Sequence, residues 1–171
     1  MGGLTRIYSR AAALLVLGMV LLLLDFFSKI YFYSLCPFYD SFQAIPVFHN
    51  LLGIDFSIQL TLNRGAAWGF FANFQYLLVA LRILMIFALF LYLFFFTKRR
   101  AYHIPLVLIL TGAIGNIVDF FLYGFVIDFL HFRFWGYDFP VFNVADSLIT
   151  IGVVWMIGLT LFSPKKKTSH A

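Results

Sequence analysis

Residues 104–123 read IPLVLILTGAIGNIVDFFLY, an apolar stretch whose strongly polar side chains gather near its end. About 20 predominantly apolar residues are enough to cross the hydrocarbon core of a bilayer as a helix. Asn116 and Asp119 are three positions apart, which places both side chains on one face of such a helix. The stretch therefore predicts a membrane-spanning helix that carries a polar face near one end.

Three other segments are also long and apolar enough to cross a membrane. The chain of 171 residues is 63% hydrophobic and 11% charged, so a soluble domain of this length could not bury its apolar surface. We therefore predict an all-α membrane protein with four transmembrane helices, forming a single integral membrane domain over residues 1–171. The predicted spans are about residues 11–33, 74–97, 104–123 and 141–162.

The basic residues predict how the four spans are oriented. They precede the first span, separate the second from the third and follow the fourth. Cytoplasmic segments of membrane proteins carry the excess of Lys and Arg. We therefore expect both termini, including a basic tail at residues 163–171, on the cytoplasmic side of the membrane. The residues that carry this bias are Arg6, Arg10, Lys98, Arg99, Arg100, Lys165, Lys166 and Lys167.

The first loop on the opposite side, about residues 34–73, has a structural pattern of its own. Residues 55–63, DFSIQLTLN, alternate between polar and apolar side chains, which indicates a half-buried strand. A strand needs partners to be stable, and residues 125–135 in the second outer loop are the candidate partner. We expect a small extracytoplasmic β element at the outer membrane interface.

Polar side chains near the ends of all four spans are predicted to meet at one depth, in the outer third of the membrane. Asp25 and Lys29 are four positions apart and can pair on one helix face. The chain has seven aspartates and no glutamate, and carboxylates within a membrane are rare and usually functional. The converging residues are Asp25, Lys29, Asn63, Arg64, Asn116, Asp119, Asp128, Asn143 and Asp146.

Each of these residues also has a purely structural interpretation. Asp25 and Lys29 could form a buried ion pair. Asn116 could join helices that the neighbouring glycines allow to approach closely. Arg82, within the second span, could extend to the interface or pair with an acid. Packing alone, however, does not require several carboxylates at one depth.

Two neighbouring carboxylates favour acid–base catalysis. At about 4 Å and an effective dielectric constant near 20, two negative charges repel by about 4 kcal/mol, which separates their pKa values by about three units. One group then keeps a proton while the other stays ionised, as in aspartic proteases. The residues alone leave open which pair acts among Asp25, Asp119, Asp128 and Asp146.

Other chemistries fit less well. Ser28 and Lys29 are adjacent, so their side chains point about 100° apart on a helix and do not form a dyad. Asp128 and His131 lack further ligands at metal-binding spacing. We expect no metal, no cofactor and no nucleic-acid partner. The alternative function is a small proton-coupled transporter or channel subunit that uses the aspartates as a relay, and a third is a non-catalytic scaffold.

The polar clusters, in their order along the chain, resemble the bacterial lipoprotein signal peptidases (signal peptidase II). Each matching string is weak alone, but their joint order and their place relative to four spans are specific. The strings are LDFFSK at 24–29, NRGAAWG at 63–69, TGAIGNIVD at 111–119, GFVIDF at 124–129 and FNVADS at 142–147.

The resemblance implies an intramembrane aspartic endopeptidase that cuts lipidated prolipoproteins before the diacylglyceryl-cysteine. It implies Asp128 and Asp146 as the catalytic residues, close to the outer face of the bacterial inner membrane. Lipidated prolipoproteins and membrane lipids are the implied partners, and we expect a monomer. The implied supporting or substrate-binding residues are Asn116, Asp119, Asn143, Asn63, Gly65, Asp25 and Lys29.

Two positions depart from the family pattern. Phe120 stands where the family has an arginine directly after the acid that matches Asp119, and Arg82 or Arg133 could supply the missing charge. Trp68 stands in place of the more usual phenylalanine, which preserves an aromatic side chain.

Overall fold

The structure, a computed structural model, describes residues 2–35, 44–64 and 75–162, with side chains of the first helix from residue 9 onward. Gly65, Trp68 and the basic tail at residues 163–171 lie outside the described residues. The helices are α1 (Gly2–Ser34), α2 (Gln75–Leu91), α3 (His103–Tyr123) and α4 (Val144–Leu161). The strands are β1 (Ile45–Leu51), β2 (Ile54–Asn63), β3 (Val126–Phe134) and β4 (Tyr137–Asp138).

Four helices of the described chain are long and apolar enough to cross a membrane, which confirms the four predicted spans. They cover Ser9–Ser34, Tyr76–Phe96, Arg100–Tyr123 and Val144–Leu161. The second continues past α2 through a π-helical turn, Tyr92–Phe96.

The fourth span begins later than residue 141, where the sequence predicted it to start. Phe142 pairs with Leu130 of β3 through backbone hydrogen bonds of 2.8 and 3.0 Å, so it belongs to the sheet and not to the helix. Asn143 is extended and caps α4. Phe142, the residue before the cap, therefore extends the sheet, although its hydropathy is typical of a membrane span.

Helix α3 lies at the centre of the bundle, against α1, α2 and α4. In its most apolar window 72% of the residues are buried, against 6% for α1 and α2. Small residues bring α3 and α4 together: a Cβ atom on Gly112 would collide with the backbone carbonyl of Ala145, and one on Gly152 would lie 2.7 Å from the carbonyl of Pro105. This close approach sets the polar end of α3 beside the first turn of α4.

The strands form one antiparallel sheet in the order β1-β2-β3-β4. Asn63 pairs with Val126 and Asp55 with Arg133, so the predicted strand and its predicted partner are confirmed. The register shifts between Ile58 and Thr61, and Thr61 then lies opposite Asp128.

A short turn joins α3 to β3 and fixes where Asp128 lies. Gly124 closes α3 in the left-handed conformation, with φ of 77°, which glycine adopts without steric cost. Its N–H donates to the carbonyl of Phe120 at 2.9 Å. Strand β3 begins two residues later, so Asp128 returns to the level of the polar end of α3.

Candidate active site

Asp128 is a buried carboxylate on β3, 1% exposed. Its apolar neighbours along the strand, Ile127 and Phe129, are buried as well, and the ring of Phe129 stacks on Phe32 of α1 at 4.4 Å. Asn143 Nδ2 donates to one carboxylate oxygen at 2.7 Å. Asn63 Nδ2 donates to the other at 3.0 Å. Two neutral amides therefore hold the carboxylate.

Asp146 lies in the first turn of α4, where it forms a capping box with Asn143. Its backbone N–H donates to Asn143 Oδ1 at 2.8 Å, and its Oδ2 accepts from the backbone N–H of Asn143 at 3.3 Å. Asn116 Nδ2 donates to its Oδ1 at 2.8 Å. Asp146 is half-buried, so it is more accessible than Asp128.

Asn143 joins the two acids. It is fully buried, with 0% of its surface exposed. Its side-chain amide binds Asp128, and its backbone N–H and side-chain oxygen hold Asp146. The same Nδ2 lies 3.0 Å from Asn116 Oδ1 and 3.2 Å from the carbonyl of Ile127. One side chain therefore links α3, β3 and α4 at the site.

Lys29 is the centre of a charged cluster that Asn116 links to this pair. Its Nζ lies 2.8 Å from Asp25 Oδ2, 2.9 Å from Asp119 Oδ2 and 3.1 Å from Asn116 Oδ1. The side chains of Lys29, Asp25 and Asp119 are at most 2% exposed. An ammonium group has three donors, and here three oxygen atoms surround it. The Asp25–Lys29 pair is therefore a buried ion pair that also recruits Asp119.

Backbone amides complete the binding of the two acids in this cluster. Asp25 Oδ1 accepts from the N–H of Ala145 in α4 at 2.8 Å. Asp119 Oδ2 accepts from the N–H of Ile127 in β3 at 3.2 Å. Gly115 leaves room for Asp25, since a Cβ atom there would lie 2.5 Å from its Oδ2. The cluster thus fixes α1, β3 and α4 against α3.

The four acids that the sequence could not separate fall into two kinds. Asp25 and Asp119 share a buried lysine. Asp128 and Asp146 are held by amides, and within the described part of the chain no Lys or Arg contacts either of them. A nearby cation favours the ionised form of a carboxylate, whereas burial among neutral groups beside another acid favours the protonated form.

Burial raises the pKa of Asp128 from 3.8 to about 7, with the charge of Asp146 as the second cause. The hydrogen bond from Asn63, the charge of Lys29 and the hydrogen bond from Asn143 oppose this rise. Asp128 can therefore gain or lose a proton near neutral pH, which is what a residue that transfers protons during a reaction must do.

A family model described as signal peptidase (SPase) II matches residues 17–162. The chain belongs to the signal peptidase II family. A lipoprotein signal peptidase from Chlamydia pneumoniae is 41% identical over 122 residues, which cover 70% of this chain and 72% of that protein. One from Staphylococcus aureus is 38% identical over 122 residues, 69% of each chain.

Solved structures agree with this membership. A bacterial membrane enzyme determined by the in meso method at 2.3 Å superposes with a TM-score of 0.76 at 26% identity, covering 94% of both chains. A second bacterial membrane enzyme, at 1.9 Å, gives a TM-score of 0.72 at 26% identity and covers 90% of this chain and 95% of the other. The match extends over the sheet and the helices alike.

In this signal peptidase II chain, Phe120 does not leave Asp119 without a positive charge. Among the described residues, Lys29 and the backbone N–H of Ile127 contact Asp119. The suggestion that Arg133 takes over the family's arginine is wrong, because Arg133 lies at the other end of β3 and contacts Asp138 at 3.6 Å. Arg82 is half-buried on α2 and is not among those contacts of Asp119.

The sequence pattern missed part of what holds the site. The capping box that Asn143 and Asp146 form at the start of α4 was not predicted from the sequence. Polar N-cap residues followed three positions later by an acid are the known signal for such a box. The backbone N–H donors of Ala145 and Ile127 cannot be recognised in the sequence, since any residue except proline could supply them.

Proposed function

We propose that this chain removes signal peptides from lipidated prolipoproteins, cleaving before the diacylglyceryl-cysteine as an aspartic endopeptidase. The observation that carries the proposal is that Asp128 and Asp146 are joined through Asn143 and have neutral amide partners. Membership of the signal peptidase II family supports the substrate class and does not support the alternative of a proton-coupled transporter.

The two carboxyl groups divide the chemistry. The ionised carboxylate accepts a proton from a water molecule, whose oxygen attacks the carbonyl carbon of the scissile peptide. The protonated carboxyl group donates a hydrogen bond to the carbonyl oxygen and stabilises the developing negative charge. When the tetrahedral intermediate collapses, the C–N bond breaks and the leaving amine takes up a proton from the dyad. Peptide and water become an acid and an amine.

The surroundings suggest which acid has which role. Asp128, with its pKa raised to about 7, is the proposed carrier of the shared proton. Asp146 is half-buried and lies at the N-terminus of α4, where the helix dipole favours a negative charge. It is the proposed acceptor of the proton from water. Asn116 and Asn143 orient the two carboxylates.

The proposed setting is the outer part of the membrane. The basic ends of the spans would face the cytoplasm by the positive-inside rule, which puts the dyad near the opposite face. A lipidated substrate would enter sideways from the bilayer, between the spans, to a single copy of the enzyme. The reaction needs no metal or cofactor, so EDTA is expected to leave the rate of cleavage unchanged.

A gel-shift assay with a purified, lipidated prolipoprotein tests the proposal. Asp128→Asn and Asp146→Asn are each expected to lower the cleavage rate by at least about 1,000-fold, because each removes one member of a unit that works together. Both variants should remain folded in detergent. Asp138→Asn removes the same charge from an exposed strand residue and is expected to retain full activity. Normal cleavage by either dyad variant would disprove the assignment.

A further inference from the structure

A cavity of about 730 Å³ opens between α1, the end of α2 and α3, at the end of the bundle opposite the aspartates. Its volume lies in the range of small-molecule sites, about 300–1,000 Å³. The walls are apolar, and three basic side chains and two threonines join them. The lining includes Leu14, Leu22, Phe94 and Leu110 among the apolar residues, and Arg10, Thr97, Arg100 and His103 among the polar ones.

The cavity is as deep as one leaflet of a membrane. On α1 its lining runs from Arg10 to Leu22, which corresponds to about 18 Å at the rise of an α-helix. Half of the hydrocarbon core of a bilayer is about 15 Å thick. The lining on α1 is therefore long enough to follow a single acyl chain through one leaflet.

The wall formed by α2 has an unusual backbone. The helix ends in the π turn Tyr92–Phe96, where both the N–H and the hydroxyl of Thr97 donate to the carbonyl of Tyr92 at 2.9 Å. The rings of Phe90 and Phe94, which line the cavity, lie 4.4 Å apart. Single π turns within helices occur often at functional sites.

Positive charge at the mouth of the cavity has no acidic partner. Arg10 and Arg100 are both exposed, and in the described part of the chain neither of them forms an ion pair. Among the residues that the structure describes, no aspartate lines the cavity. Basic pockets between transmembrane helices on the cytoplasmic side are sites for anionic lipid headgroups.

We propose that this cavity binds an anionic phospholipid from the leaflet at the basic end of the bundle, which the positive-inside rule makes the cytoplasmic leaflet. Arg10 and Arg100 bind the phosphate, and an acyl chain lies between α1, α2 and α3. A signal peptide is the competing occupant, but its first region is positively charged and would face the same two arginines. The proposal is independent of the catalytic roles of Asp128 and Asp146.

Native mass spectrometry of the full chain in detergent tests the site by titration with phosphatidylglycerol and with phosphatidylcholine of the same acyl chains. Phosphatidylglycerol is expected to bind more tightly. Arg10→Gln/Arg100→Gln should weaken its binding by about fivefold for each arginine and leave phosphatidylcholine unchanged. The control is Lys98→Gln/Arg99→Gln, which removes the same charge from the same end of the bundle but does not line the cavity. Its affinity should change by less than about twofold. An equal loss in both double variants would overturn the proposal, and so would no loss in either.

A photo-crosslinking amino acid at Leu14, which lines the cavity, identifies the occupant directly in membranes that contain a prolipoprotein substrate. An adduct with the mass of a phospholipid supports the proposal. An adduct with the signal peptide overturns it and assigns the cavity to the substrate. Because the readout is a mass and not a cleavage rate, the result stays separate from the test of the catalytic aspartates.

Discussion

At the scale of single residues, Asn143 has two separable functions. As the N-cap of α4 it binds the N–H of Asp146 through its side-chain oxygen. Through its side-chain nitrogen it binds Asp128. A serine can replace the oxygen at an N-cap, but it is too short to replace the amide donor.

Replacing Asn143 with serine and with alanine separates these functions. Both variants lose the link to Asp128, so both are expected to lower the cleavage rate by about 100-fold, the size seen when one positioned polar group is removed from an active site. Asn143→Ala also loses the cap and should be less stable than Asn143→Ser by about 1 kcal/mol. Thermal unfolding in detergent measures this difference, and equal stability of the two variants would contradict it.

The raised pKa of Asp128 makes stability depend on pH. Because the folded protein holds this proton up to about pH 7 and an unfolded chain releases it near 3.8, the contribution of Asp128 is complete below the lower value and is lost as the pH rises through the higher one. The full loss is on the order of 4 kcal/mol. Asp128→Asn cannot ionise, so its stability relative to the wild type should rise between pH 4 and pH 7.

The matched control for this pH series is Asp138→Asn, since Asp138 is exposed. Its stability is expected to run parallel to that of the wild type across the same range. A parallel curve for Asp128→Asn as well would show that Asp128 does not hold a proton in the folded enzyme.

The ammonium group of Lys29 offsets the negative charge of two buried carboxylates, those of Asp25 and Asp119. Lys29→Met leaves Asp25 and Asp119 without a cation and is expected to cost about 3–5 kcal/mol of unfolding free energy. Adding Asp25→Asn and Asp119→Asn to this variant should restore part of the loss. Lys98→Met, at an exposed position, is expected to change stability by less than about 0.5 kcal/mol. A triple variant less stable than Lys29→Met would contradict this account.

The sequence predicted part of these residue contacts. The pairing of Asp25 with Lys29 followed from a spacing of four on one helix. The contact between Asp119 and Lys29 could not be predicted in this way. It depends on how α1 and α3 are aligned along their axes when they pack. Charge repulsion predicted that two neighbouring aspartates share a proton, but it could not identify the two. Their identity depends on which aspartates contact Lys29 in the fold.

At the scale of elements, the contact between α3 and α4 determines whether the site exists. It brings Asn116 beside Asp146 and depends on Gly112, where a Cβ atom would meet the backbone of Ala145. A backbone atom cannot turn away as a flexible side chain can. The helices must therefore separate if this glycine gains a side chain.

Gly112→Ala is expected to destabilise the enzyme by about 1–3 kcal/mol, the usual cost of overpacking, and to lower its cleavage rate. Gly158→Ala is the matched control, because it lies in α4 with nothing within 4 Å of an added Cβ. Alanine favours a helix over glycine by about 1 kcal/mol, so this variant should be at least as stable as the wild type. Opposite signs in thermal unfolding are the expected result.

A helix or strand was predictable when its own segment of the sequence carried a clear hydropathy pattern. Hydropathy gave all four spans, and alternation gave the strand at residues 55–63, because burial on one or both faces leaves a periodic pattern. The start of α4 was predicted too early because Phe142 pairs with β3. The π turn after α2 had no visible signal in the sequence, because its segment, Tyr92–Phe96, contains no Gly or Pro.

At the scale of the whole molecule, charge is divided between the two ends of the bundle. The described aspartates lie in the polar cluster and the sheet, whereas Arg10, Arg99 and Arg100 occupy the other end. The order of the polar motifs along the chain, together with four spans predicted from hydropathy, was enough to predict the family. The membrane orientation, the single-domain boundary and the monomeric state remain predictions, because they depend on the bilayer and on other copies.

The hydrogen bond from Ala145 to Asp25 ties the beginning of the chain to its last helix, with a consequence for biosynthesis. A ribosome delivers α1 early and α4 late. Until α4 has been inserted, Asp128 lacks the amide of Asn143 and has no second acid beside it. If Asp128 and Asp146 are the catalytic pair, as proposed, a partly synthesised chain lacks peptidase activity, and the site is complete only when the final helix arrives.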